Sequence, residues 1–156
     1  MVANSIEREI VIEAPVEVVW GVVTEPEQIV QWFTDTAEID LRPGGDGVLT
    51  WDEKATTAKT TAHMRVQAVE KPHRFSFRWT HPEGAEPNEG NSTLVEFILT
   101  AEGEKTRLRV VESGMAGTDW SEEQKADFVR GHSGGWPRHL ADLAEFAADR
   151  ARTASR

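Results

Sequence analysis

Two tryptophan-bearing apolar segments lie at opposite ends of this chain. One is Ala14-Pro15-Val16-Glu17-Val18-Val19-Trp20, running on to Gln31-Trp32-Phe33, and the other is Gly135-Trp136, running on to Phe146. The sequence between them mostly alternates apolar and polar residues with the period of two that a half-buried strand requires. A helix with one apolar face must bury it on another element, so both ends are expected to close over one sheet.

The first strand is read over Ile6 to Glu13, ended by Ala14-Pro15, where proline leaves the ladder and suits a first helical turn. Val16 to Val23 reads as a helix, although its valines are β-branched and too dense for a one-sided face. Thr24 is expected to cap a second short helix with Pro26 in its first turn, leading into Ile29, Val30, Trp32 and Phe33. Beyond Asp35, Ala37, Ile39 and Leu41 alternate, Arg42 to Gly47 turns, and Val48 to Trp51 returns as a hairpin. Further strands are expected at Lys59 to Val69, Arg74 to Thr80, Thr93 to Ala101 and Thr106 to Glu112, mostly sequential and antiparallel. His81 to Gly90, rich in Pro, Gly and acid, is expected to be a mobile surface loop.

The last third turns helical. Ser121-Glu122-Glu123-Gln124 fits a capping box before Ala126, Phe128 and Val129. Trp136, Leu140, Leu143 and Ala147 then recur at helical spacing, and Gly131, Gly134, Gly135 and Pro137 are expected to separate or kink two helical pieces.

Composition limits the partners. At 156 residues the chain suits one domain spanning 1–156, with a disordered tail expected over about the last six residues. Its net charge of -10 repels phosphate backbones and anionic lipid, which argues against nucleic acid and membrane partners. Without cysteine it has no disulfide, thiolate nucleophile or Cys-based zinc site, and without tyrosine no phenolic acid-base group. The N-terminus lacks a secretory pattern and no apolar run suits a membrane helix, so a cytoplasmic location is expected.

Many short matches in order carry a resemblance. Arg8-Glu9-Ile10, Ala14-Pro15 with Val18-Val19-Trp20, Trp32-Phe33, Arg42-Pro43-Gly44-Gly45, Phe77-Arg78-Trp79, Thr93 to Phe97, Thr106-Arg107-Leu108 and Gly135-Trp136 with Leu140 resemble the START-like (SRPBCC) superfamily. The branch they most resemble is named for the activator of heat-shock-protein-ninety ATPase. The resemblance covers nearly the whole chain. It implies an α+β helix-grip (START-like, Bet v-like) fold: a curved antiparallel sheet wrapped around a long C-terminal helix, with two short helices after the first strand and a cavity between sheet and helix. The eukaryotic activators behind the family name carry an additional N-terminal domain, so a chaperone role is implied less firmly than the fold.

Strand alternation then suggests what faces that cavity. Phe75, Phe77 and Trp79 would point inward with Val95, Phe97 and Leu99, and with Leu108, Val110 and Glu112. Ile10 and Ile12 place Arg8 inward on the first strand. The resemblance makes first and last strands neighbours, so Arg8 and Glu112 could meet as a polar anchor, or could both reach solvent at a strand end. Trp20 reads as core and Trp120 as a lid or surface residue. Trp32, Trp51, Trp79 and Trp136 sit near element ends, where an indole can keep a wet N–H.

Other motifs lose to their context. Gly131-His132-Ser133-Gly134-Gly135 matches G-x-S-x-G, but helical sequence precedes it, and His139 and Asp142 follow in the wrong order for a hydrolase triad. His63, His73, His81, His132 and His139 show no metal-ligand spacing, and Gly44 to Gly47 lack the Lys-Ser/Thr of a phosphate loop.

The leading expectation is therefore non-enzymatic binding of a small, mostly apolar or amphipathic molecule. The binding set is Arg8, Trp32, Phe33, Trp51, Phe77, Trp79, Phe97, Glu112, His132, Trp136 and Leu140, with His132 at the mouth and with no catalytic residue, metal or cofactor. The expected cavity holds ~300 Å³ or more, bordered by Trp32, Trp79 and Trp136. A co-chaperone-like protein-interaction module is the second reading, and a cyclase or lyase using Arg8, Glu112 or His132 is the third. Either a monomer or a homodimer fits.

Overall fold

The computed structural model describes residues 4–52, 59–81 and 86–154. Strand β1 (Ser5–Ile12) is followed by helices α1 (Val16–Thr24) and α2 (Pro26–Ile29). Six strands come next: β2 (Thr36–Ile39), β3 (Asp46–Asp52), β4 (Lys59–Glu70), β5 (Arg74–Thr80), β6 (Ser92–Glu102) and β7 (Lys105–Ser113). A 3-10 turn at Met115–Gly117 then leads into helix α3 (Glu122–Ala154). All seven strands form one antiparallel sheet in the order β1-β7-β6-β5-β4-β3-β2, so every strand from β2 to β7 pairs with its neighbour in sequence and only β1 closes across the chain. This is the helix-grip arrangement the resemblance implies.

Alternation decides the inner face. On β7, Thr106, Leu108, Val110 and Glu112 are buried while Lys105 and Arg109 are exposed. On β6, Thr93, Val95, Phe97 and Leu99 are buried in the same way. The outer face carries ion pairs such as Arg107 with Glu9 and Glu102, and Arg109 with Glu7. Helix α1 forms despite its β-branched residues because Val19, Trp20, Val22 and Val23 are buried in the core; packing overrides propensity.

Several local expectations are corrected. Thr24 does not cap α2: Glu25 holds the N-cap position, and the Thr24 hydroxyl donates to the Trp20 carbonyl. Leu41 lies beyond β2 and is exposed. Trp120 is buried among His81 and Phe128 rather than covering the surface. The capping box is present, with Ser121 N–H donating to Gln124 Oε1 and Gln124 N–H to Ser121 Oγ. The loop expected over His81 to Gly90 has residues 82–85 outside the described residues. Where a tail was expected, α3 continues as far as Ala154, and residues 155–156 lie outside the described residues.

The largest correction concerns α3, which is one helix of 33 residues with Pro137 inside it rather than two pieces. Proline at 137 has no N–H for the carbonyl of residue 133, four positions back. Arg8 supplies the missing donor: its Nη2 reaches the Ser133 carbonyl oxygen at 3.1 Å. An arginine on β1 thus repairs the gap that proline opens in the helix.

Candidate functional site

The stretch of α3 from Phe128 to His139 lies over the ends of β3, β4 and β5. Phe128, Gly131, His132, Gly135, Trp136 and His139 recur at the three- and four-residue steps that put side chains on one helical face. Opposite them stand Trp51 from β3, Thr60, Thr61 and Ala62 from β4, and Trp79 and Thr80 from β5, with Phe33 closing one side and His81 and Arg138 completing the wall. Together they line a cavity of about 240 Å³ that opens to solvent on one side. The volume is somewhat below the ~300 Å³ expected, and Trp51 rather than Trp32 joins Trp79 and Trp136 on its border.

Behind this wall Glu112 is fully buried. Its Oε2 accepts from Trp79 Nε1 at 2.8 Å and from Thr93 Oγ1 at 2.7 Å, while Oε1 accepts from Trp136 Nε1 at 2.9 Å and pairs with His132 Nδ1 at 2.8 Å. The geometry follows from register. Thr93 lies opposite Trp79 on β5, and Glu112 lies opposite Val95, so the threonine and the carboxylate are diagonal neighbours on one face. His132 and Trp136 are four apart on α3, which lets both reach one oxygen. Burial pushes the Glu112 carboxyl up, but its hydrogen bond and charge interaction with His132, aided by Thr93 and Trp136, more than offset this and hold it below its ordinary value.

The rings around the cavity are ordered by mutual contact. Phe33 stacks on Trp136 at 5.7 Å and meets Trp51 edge-on at 5.5 Å, and Trp79 stacks on Trp136 at 6.0 Å. His132 stacks on Phe128 at 3.7 Å and stands perpendicular to Trp79. Burial, then Arg138, lowers the His139 pKa; burial, then His132, lowers that of His81, whose ring keeps an exposed edge but is covered by Trp120 and Phe128.

The expected binding set divides. Phe33, Trp51, Trp79, His132 and Trp136 line the cavity. Trp32, Phe77 and Phe97 surround a separate void of about 10 Å³, with Phe33 shared between the two, and Leu140 is buried in the core. Arg8 and Glu112 do not meet: Arg8 pairs in register with Val110, Glu112 with Ile6, and the partner of Glu112 is His132. Neither lines the cavity; the cation that does is Arg138. The indoles expected to stay wet are bonded internally, Trp32 to the Val22 carbonyl, Trp51 to the Phe33 carbonyl, and Trp79 and Trp136 to Glu112.

Sequence reasoning missed Thr60, Thr61, Ala62, Thr80, His81, Phe128, Gly131, Gly135, Arg138 and His139. Stepping by three and four from His132 would have found the helical ones; nothing local marks the threonines. Ser133 of the G-x-S-x-G match sits inside α3, not on a strand-to-helix turn. Among the described residues no group of acidic, histidine or cysteine side chains could hold a metal, and no helix is long and apolar enough to cross a membrane.

Comparison with known proteins agrees with this architecture. A family described as Activator of Hsp90 ATPase homolog 1-like protein matches residues 13–148. Among solved structures, CalU16 from Micromonospora echinospora is 26% identical over 92% of this chain and 76% of its own, with a TM-score of 0.64. DynU16, encoded in the dynemicin biosynthetic locus, is 23% identical over 93% of this chain with a TM-score of 0.71, but the match spans only 47% of DynU16, about half its length. The Aha1 dimer from Colwellia psychrerythraea is 19% identical over 93% of this chain and 95% of its own, with a TM-score of 0.69. No curated protein matches the sequence. With 136 consecutive residues matched and the helix-grip sheet in place, the chain belongs to the Activator of Hsp90 ATPase homolog 1-like family of the START-like (SRPBCC) superfamily.

Proposed function

We propose that this chain, acting as one START-like domain, binds a small, mostly apolar molecule between the sheet and α3 without turning it over. The observation that supports this reading is the 240 Å³ cavity walled by Phe33, Trp51, Trp79, Phe128 and Trp136. An apolar cavity of ~150 Å³ is enough to take up benzene, so this one suits one or two fused rings. Family membership alone does not choose a ligand.

The test is calorimetric titration with naphthalene as the apolar probe, in parallel with tryptophan fluorescence. A saturable one-to-one isotherm is expected, and Ala62→Phe, which fills the cavity from β4, should remove it. Absence of saturable binding to the unaltered protein would overturn the reading.

A protein-interaction role comes second, favoured by the family match and by the dimeric Aha1 relative. Its measurement is the ATPase rate of a heat-shock-protein-ninety chaperone with and without this protein. An unchanged rate removes it.

A further inference from the structure

We infer that the cavity selects a planar aromatic molecule carrying a weakly acidic hydroxyl, whose O–H donates to Nε2 of His132. This deepens the proposed binding role and rests on it, while naming the chemistry that the polar part of the wall recognises.

Glu112 fixes the polar chemistry of the wall. An indole N–H can only donate, and the two carboxylate oxygens each take one, from Trp79 and from Trp136. Thr93 donates to Oε2 as well. Surrounded in this way, the carboxylate is an acceptor at both oxygens, so the His132 nitrogen 2.8 Å from Oε1 must be the donor. In the neutral form of the imidazole that proton sits on Nδ1 and the lone pair on Nε2. Among the described residues Nε2 has no partner, although His132 lines the cavity.

The ring is also held in place. Phe128 stacks on one face at 3.7 Å and Trp79 meets it at 90°. Glu112 is thus a positioning residue: it never meets the ligand, but it sets the tautomer and orientation of the group that does. Should the ligand proton transfer, the O–H bond breaks and an Nε2–H bond forms. The resulting imidazolium lies between the aryl oxide and the Glu112 carboxylate, so no charge is left alone in the wall.

The other polar groups fit a neutral donor better than a free anion. His81 and His139 are both held toward their neutral forms, so their imidazoles offer lone pairs rather than fixed positive charge. Phe33, Trp51 and Trp136 present ring surface against which a flat molecule can stack. Arg138 alone favours an anion, and it is exposed at the rim.

The test compares three probes of one shape on the unaltered protein at pH 7.5: 2-naphthol, 2-methylnaphthalene and 2-naphthoate. A hydroxyl matched by a waiting acceptor gains over an isostere that leaves the acceptor unmet, and partial water access to His132 keeps that gain modest. We expect 2-naphthol to bind at least ~10-fold more tightly than 2-methylnaphthalene, with its absorption shifted toward that of the naphtholate. Equal affinities would overturn this inference while leaving the apolar binding role intact. Tighter binding of 2-naphthoate would make Arg138 the anchor and also overturn it. Failure of all three to bind would remove the binding role itself. The second arm is His132→Phe, which keeps a ring against Phe128 and lacks the lone pair; it should bring 2-naphthol down to the affinity of 2-methylnaphthalene, and a retained preference would overturn the assignment. Should that variant fail to fold, the comparison of probes on the unaltered protein still decides.

Discussion

The inner face of the sheet has two halves built from similar aromatic side chains and opposite in outcome. In the closed half, Trp32, Phe77 and Phe97 meet Ile29, Leu49 and Met64, and the space left is about 10 Å³, too little for more than one water. In the open half, Trp51, Trp79 and Trp136 face Thr60, Ala62, Gly131 and Gly135, and about 240 Å³ stays unfilled. Phe33 borders both. What differs is the size of the residues facing the rings. Large aliphatic partners interdigitate with aromatic ones to interior density, whereas glycine, alanine and threonine cannot reach across. The open half keeps its shape because Trp79 and Trp136 are tied from behind to Glu112 and Trp51 to the Phe33 carbonyl.

The comparison can be broken most severely at its two anchors. Phe97→Ala in the closed half should cost ~3–5 kcal/mol, because a large side chain leaves tightly packed surroundings. Glu112→Leu should cost a similar ~3–5 kcal/mol for a different reason, since it strands the Trp136 indole N–H, the Thr93 hydroxyl and His132 without their acceptor and leaves the Trp79 indole N–H only Thr93 Oγ1, at 3.0 Å. Urea unfolding measures both. A loss below ~1 kcal/mol for Glu112→Leu would mean that the polar cluster does not hold the open half together.

Acid should attack the open half first. The pKa values of Glu112, His81 and His139 all lie below their unfolded values of 4.5, 6.5 and 6.5, so the folded protein binds fewer protons than the unfolded chain. Their stabilising contribution is present above pH 6.5. It declines as the histidines are forced to charge below that point, and falls again below pH 4.5 as Glu112 takes up a proton. Thermal melts between pH 8 and 3 should therefore slope downward in two stages, with the lower stage absent in Glu112→Leu. A flat profile would remove this account.

A smaller effect joins the two ends of the chain. Arg8→Ala should cost ~1–3 kcal/mol, because it leaves the Ser133 carbonyl without a donor. Pro137→Ala restores the helical N–H, so the same arginine substitution should cost clearly less in that background. Strict additivity in this double-mutant cycle would show that Arg8 does not serve the carbonyl.

The smallest effect has the opposite sign. A Cβ at Gly135 meets no atom within 4 Å, so Gly135→Ala should stabilise α3 by ~0.5–1 kcal/mol while narrowing the cavity and weakening naphthalene binding. Gly134, exposed and outside the wall, is the control: alanine there should stabilise without touching binding. Equal binding by both variants would separate the glycines from the cavity.

Much of the fold was legible in sequence because periodicity is a local property. Phe75, Phe77 and Trp79, with Leu108, Val110 and Glu112, follow the period of two, and Ser121 with Gln124 carries its cap within four residues. The site was legible only in part. Inward placement of Glu112 followed from counting by two, but its partner did not: Arg8 shares the inner face yet lies two residues out of step with Glu112 in the β1–β7 pairing. Trp32 and Trp51 look alike from their neighbours, and only their position across the sheet sends one to the closed half and the other to the open one.

By itself, then, the amino-acid order determined which residues alternate, which faces are apolar, and that two helical ends must cover one sheet, because each of these depends on neighbours a few residues apart. Tertiary structure decided that α3 runs unbroken through Pro137 and that a carboxylate can lie fully buried against two indoles. It also decided where the apolar interior stays unfilled. Each of these rests on contacts between residues from 19 to 125 positions apart, Thr93 with Glu112 at one extreme and Arg8 with Ser133 at the other, and no local pattern encodes such meetings.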